Sequence, residues 1–425
     1  MATATKIDLS PVTDTGVYSS DVREETARTA GEALQEDMAS HHVFFNDQHF
    51  HNHIPHQLLS IYALGAAPED IKACYEWNKC YQRPTLPASQ GVIQSMHDVV
   101  KFQEHLGKEE NYSNYLAFFQ HEIDAKGVGR VLGEYLFAGD ERAENMMCRL
   151  FAANPFRPRS PTHPPRFRVE FNQSAIVAQG LAQTAVQDDW LGRAFFLPAE
   201  KMAGGIRKQG HKSLLQLISE MRTDKALVHS VQWSDTNKIK DGVLSMEHRS
   251  RLSEDQMDER LADMINTVVY YTGAAQRLTG KMKLDFFLIH CVNSSIFFSK
   301  IINLSALNQR SKMRMLEWKG RIDLLMYTSR GTPDPLLDEV ANYPLKGDWS
   351  QIFARSIAHP SDGGHLAKLT RALAHGQKVC QAYERNGDMW LRIGNIAVDS
   401  TVHERSKPMW VRSTGFDEAW EQAHV

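Results

Sequence analysis

Cysteine is scarce and scattered in this 425-residue chain: Cys74, Cys80, Cys148, Cys291 and Cys380 are the whole set. An odd number without CxxC spacing supports neither a disulfide framework nor a thiolate zinc site. Charge of one sign is also missing. Lys plus Arg number 48 and Asp plus Glu 51, for a net charge of -3. That balance leaves no electrostatic footprint for nucleic acid and no polybasic run for anionic lipid. Long apolar runs are absent, and the richest, from Phe286 to Phe298, is broken by His290, Asn293 and two serines. No transmembrane span is expected from it. The opening Met1 to Lys6 carries no basic segment followed by an apolar one, so no secretory signal is expected. A cytoplasmic, reducing compartment follows as the expectation, with no nucleic-acid or membrane partner.

Cofactor and nucleophile motifs are missing as well. Gly127, Gly129 and Gly133 approach GxGxxG, but the third glycine comes one residue late and among helical patterns. There is no P-loop, no GxSxG elbow and no HExxH, since His121-Glu122-Ile123-Asp124 stops short of it. The usual cradles for nicotinamide, flavin and nucleotide phosphates are therefore excluded.

Histidine, by contrast, is abundant. There are 19, six of them between His41 and His56, and histidine is both the commonest metal ligand and the usual acid–base group near neutral pH. Around them the pattern is helical. Apolar residues recur at helical spacing from Pro55 to Gly65, from Pro68 to Asn78, and over Tyr115–Ile123, Val131–Phe137, Leu214–Met221, Met257–Leu278, Phe286–Leu304, Ile352–Ala358 and His365–Tyr383. Prolines at Pro55 and Pro68 suit first turns, and Gly65 suits a C-terminal stop. Strand alternation with Asn-Gly turns is scarce. The expected fold is mainly α. Residues 1–20 are expected as a flexible N-terminal arm and 21–425 as one large helical domain. A proline-rich crossing is expected at 154–167, where five prolines exclude regular helix.

Four places could carry chemistry. His53 and His56 flank the start of a helix and are three apart, so they can share a face, although loop histidines are often merely exposed. His163 lies inside the proline-rich segment and has no signal of its own. His290, in the run Phe286 to Asn293, is expected to be buried. A buried imidazole needs a partner for each ring nitrogen, either core hydrogen bonds or a metal. His365 and Lys368 lie three apart after Asp362-Gly363-Gly364. The plain reading is a helix start with Asp362 as its cap and Lys368 in solvent. The functional readings are a desolvated nucleophilic or basic lysine, or a lysine that captures carbon dioxide as a carbamate and so becomes an oxygen ligand.

Taken together, four motifs in order resemble the questin oxidase-like family of fungal polyketide pathways. They are Asn52-His53-Ile54-Pro55-His56-Gln57-Leu58-Leu59 with Ala63-Leu64-Gly65-Ala66, then His163-Pro164, then His290-Cys291-Val292-Asn293, then His365-Leu366-Ala367-Lys368-Leu369. The stretch after His163, Pro164 to Glu170, is shorter than the family's apolar continuation. The resemblance implies an oxidoreductase that opens the central ring of anthraquinones, a Baeyer–Villiger-like or dioxygenase outcome. It implies one non-haem Fe(II), the metal-binding ligands being His53, His163, His290, His365 and a carboxylated Lys368. His56 competes with His53, and the Asn-His pair favours His53. His290 and Lys368 are the catalytic candidates. An aromatic polyketide and O2 are the implied partners, with NADPH as an external reductant and metabolic CO2 as the source of the carbamate.

The residues agree with this in kind. Imidazoles suit iron, and an oxygen-activating site needs open positions. A carbamate would supply the anion that no nearby Asp or Glu motif provides. Tyr62, Phe286, Phe287, Phe297 and Phe298 could wall a pocket or be plain core. Three other readings stay open: a zinc or copper hydrolytic site built from the His49–His56 cluster, a metal-free helical ligand-binding or pathway helper protein, and a metal-independent monooxygenase that takes its electrons from a bound reduced quinol.

Overall fold

The computed structural model describes residues 2–11, 17–151, 171–204, 212–235, 238, 257–278, 281–359, 362–383, 387–402 and 408–423. Among these, helices carry the architecture and β pairing is limited to four isolated bridges. The helices that bear on the site are labelled α1 (Glu24–Ser40), α2 (Ile54–Ala63), α3 (Pro68–Lys79), α4 (Tyr112–Lys126), α5 (Ser174–Val186), α6 (Met257–Ala274), α7 (Leu288–Ser295), α8 (Gln309–Ser329), α9 (His365–Cys380) and α10 (Met389–Ser400). No helix of the described residues is long and apolar enough to cross a membrane.

Helix α9 is the axis of the molecule. It packs against α2, α6, α7 and α10, and its residues from His365 to Gly376 are all buried. A helix covered on all sides needs apolar residues on every face, and any polar ones it buries need partners. Leu366, Leu369 and Leu373 meet that demand, each contributing about 1.5–3 kcal/mol by leaving water. Gly376 lets two neighbours close in: a Cβ there would lie 2.5 Å from the Trp390 ring of α10 and 2.9 Å from Ile265 of α6. One continuous core runs from Ala4 to Trp410 and so joins both halves of the chain.

Boundaries differ from the periodicity where a side chain takes over the backbone. The single helix expected over Phe286–Leu304 is broken into α7 and a short helix Phe298–Ile301. Its start is set by buried Asp285. One carboxylate oxygen accepts from the N–H of Phe287 (2.7 Å) and Leu288 (3.0 Å). The other accepts from Ser413 (2.7 Å) and Thr414 (2.8 Å) of a C-terminal strap. Replacing Asp285 by alanine strands four backbone donors at once. The Asp285→Ala variant is expected to lose about 3 kcal/mol or more, read from the urea midpoint.

The segment expected as an arm is, over residues 2–11, laid against the body. Ala4, Ile7 and Leu9 are buried. The N–H of Ile7 donates to Gln35 (2.8 Å) and that of Asp8 to Gln173 (2.9 Å). Tyr62, offered above as a pocket wall, serves this docking instead: its hydroxyl donates to Ser10 O (2.9 Å) and its ring meets Phe171 edge-on.

Candidate active site

Three elements distant in sequence bring their imidazoles together. His53 stands at the N-terminus of α2, His290 in the first turn of α7 and His365 at the start of α9. The His53 and His365 ring centroids are 5.3 Å apart, those of His290 and His365 5.2 Å. All three are buried, as is Lys368 one turn further along α9. His163 and the crossing at 154–167 lie outside the described residues. Among the described residues, no three His, Cys, Asp or Glu side chains are close enough to form a metal cluster by themselves.

Two of the three imidazoles are oriented by backbone carbonyls. His290 Nδ1 bonds the carbonyl of Phe286, and His365 Nδ1 bonds that of Asp362. A carbonyl only accepts, so Nδ1 carries the proton and, in the neutral ring, Nε2 carries the lone pair. Metal-ligating histidines are fixed in this manner. Burial, reinforced by the Lys368 charge, holds His53 and His365 well below the ordinary histidine range. Both are neutral at pH 7, as ligands must be.

The loop before α9 makes this approach possible. Asp362 accepts from the N–H of Gly364 (2.8 Å) and Leu366 (2.6 Å), which is the capping role expected of it. Gly363 and Gly364 both take positive φ, +63° and +73°, a conformation glycine adopts without steric cost. The backbone thereby closes on α2: a Cβ on Gly363 would lie 3.2 Å from His53 Nδ1, and one on Gly364 2.5 Å from Gln57. The Gly363 carbonyl accepts from Lys368 Nζ at 3.1 Å. Gly364→Ala is expected to lower stability by about 2–3 kcal/mol through strain and overlap, measured by chemical denaturation.

On the other side, Asp37 organises the loop that bears His53. Its Oδ1 accepts from Asn52 Nδ2 (2.7 Å) and pairs with His41 Nδ1 (2.9 Å), while Asn52 Oδ1 accepts the Ile54 N–H (2.9 Å). His56 lines a small cavity of about 40 Å³ with Asp37, His41, His42 and Tyr112. The rest of the dense cluster has structural partners. His42 Nε2 bonds Glu109 O (3.1 Å), His49 pairs with the Glu109 carboxylate (3.2 Å) and His51 bonds Gln187 (2.6 Å).

Aromatic rings flank the imidazoles on two sides. Phe45 contacts His53 (5.8 Å) and Tyr81 (5.1 Å), which is partly exposed. Phe286 contacts His290 (4.9 Å) and His365 (5.1 Å), and its ring carries the guanidinium of exposed Arg412 at 4.3 Å. Of the five aromatics offered as pocket walls or plain core, Phe286 is the one in ring contact with the imidazoles among the described residues. Phe45, Tyr81, Arg412 and the glycine pair were missed. Only the two adjacent glycines left a local signal, as backbone that tolerates close approach.

The order and spacing of these residues match a known group of proteins. The profile of the questin oxidase-like family covers residues 50–373. The chain belongs to the questin oxidase-like family. Within it, the chain is 34% identical over 418 residues to a protein of Pestalotiopsis fici named Baeyer-Villiger oxidase ptaJ, covering 92% of each chain. It is 33% identical over 442 residues to a questin oxidase of Aspergillus terreus, covering 99% of this chain and 98% of the other. A Baeyer-Villiger oxidase of Emericella nidulans, mdpL, is 32% identical over 435 residues, or 96% of each chain. With end-to-end likeness to oxidases, this family member is an oxidoreductase.

Proposed function

We propose that this questin oxidase-like chain uses O2 to open a ring of an anthraquinone-type polyketide in fungal secondary metabolism. His53, His290, His365 and a carboxylated Lys368 would hold a non-haem iron there, with His163 as the fourth histidine. The observation that carries the reading is the meeting of three buried imidazoles and a buried lysine from three separate helices. The residues fit such a metal in kind. Two of the rings have Nδ1 engaged with a carbonyl, leaving Nε2 as the donor atom. When bound, the iron supplies the activation of dioxygen.

The chain's own residues do the rest. The Phe286 and Asp362 carbonyls keep two imidazoles from rotating. Lys368, as an ammonium, would repel a dication. As a neutral amine it adds CO2 to give a carbamate and one released proton, and it becomes an anion. The carbamate nitrogen retains one hydrogen, so its bond to Gly363 O survives the change. Phe286 and Phe45 offer apolar faces to a flat substrate and exclude water near the imidazoles. An external reductant of the NADPH kind would deliver the substrate as its hydroquinone.

Metal analysis of protein purified without air tests this reading. The expected result is about one iron per chain with turnover that requires oxygen. Full turnover by metal-depleted protein, or zinc or copper with hydrolysis, would defeat it.

A further inference from the structure

We propose that Arg412, on the C-terminal strap, anchors an ionised phenol of the substrate; this rests on the aromatic-substrate reading above. Arg412 lies one ring away from the imidazoles. Its guanidinium is 4.3 Å from the centre of Phe286, whose ring touches both His290 and His365. On this proposal a tricyclic molecule with its reacting edge at the imidazoles would extend its far edge along Phe286 toward Arg412.

The charge around it points to an anion. Arg330, which is buried, sits 4.2 Å above the neighbouring Phe287 ring, so two guanidiniums share this corner. Among the described residues, the carboxylate hydrogen-bonded to the strap there is that of Asp285, which spends its four hydrogen bonds on the backbone of Phe287, Leu288, Ser413 and Thr414. Arg330 turns to neutral acceptors, the hydroxyls of Ser413 and Ser329, each at 3.2 Å. Among the described residues Arg412 makes no ion pair, and it is exposed. Two cations against one committed carboxylate leave a surplus of one positive charge beside an apolar ring. Such a field favours the ionised form of a bound phenol, and a guanidinium meets a phenolate with strong charge-assisted hydrogen bonds. The strap supplies the cation while α7 and α9 supply the imidazoles. The Asp285 carboxylate and the backbone bonds of Phe286 and Leu284 to Val411 hold strap and α7 together, so the distance between anchor and imidazoles is set by this junction.

The test is anaerobic binding of β-hydroxyanthraquinone and of its methyl ether to the full-length protein, followed by visible absorption at pH 7. Wild type is expected to bind the phenol more tightly than the ether and to show the phenolate band of the bound dye. Arg412→Gln is expected to weaken the phenol about tenfold or more, erase that band and leave the ether within about twofold. Arg412→Lys, which keeps the charge, is expected to retain the band and most of the affinity. Equal affinity of wild type for phenol and ether, or equal losses of both in Arg412→Gln, would overturn the anchor while leaving the aromatic-substrate reading intact. Failure of wild type to bind either dye would instead overturn that reading.

Discussion

The His365→Ala variant is expected to lose its iron and more than about a hundredfold in kcat/KM. Altering a residue that merely supports a metal ligand already costs 10–100-fold, and His365 is proposed as a ligand itself. It is the ring that touches both His53 and His290, so its removal also takes a packing neighbour from each of them. His375 is the matched control, because it lies on the same helix and is equally buried. Burial pushes its pKa down to about 3. Its Nδ1 accepts from the Tyr18 N–H (3.2 Å) and its Nε2 bonds the Ser299 hydroxyl (2.7 Å). His375→Ala is expected to lose about 1–3 kcal/mol of stability for those orphaned groups and to keep its metal. Metal content by elemental analysis, alongside thermal unfolding, separates the two variants. Loss of iron from both, or from neither, would remove His365 from the ligand set.

Lys368→Arg is expected to lose activity to a similar extent even though charge and length are nearly kept. A guanidinium does not add CO2, and as a permanent cation it repels a metal. Lys368→Ala should lose iron too, but leaves a space one carboxylate can fill, so added acetate or formate should restore part of the rate. Labelled bicarbonate offers a direct readout: the carbamate carbon should appear by nuclear magnetic resonance in wild type and not in Lys368→Ala. Full activity of Lys368→Arg would end the carbamate proposal, whatever becomes of the iron.

Much of the fold was legible because helical periodicity is local. The α2 and α3 starts at Pro55 and Pro68, and the stop at Gly65 (φ +89°), stand where proline and glycine place them. The late start of the expected Phe286–Leu304 helix was not legible, because it depends on Asp285, which also holds a strap more than a hundred residues away in sequence. The docking of residues 2–11 was not legible for a related reason. Ala4, Ile7 and Leu9 are too few to signal burial in one dimension, and they need α1 and Gln173 to complete the contact.

The amino-acid sequence by itself determined the fold class, the excluded cofactor motifs and the order of the four motifs, since each is a property of neighbours along the chain. It placed His53, His290, His365 and Lys368 as candidates but treated His375 as one histidine among 19. Only the tertiary structure separated a histidine with two core hydrogen bonds from one aimed at other imidazoles. It alone set Phe45 beside His53 and Arg412 over Phe286, and it took His56 to a different cavity. The physical reason is that ring orientation and local charge come from side chains contributed by other helices. Their distances are fixed by packing around α9, and no spacing along the chain records them.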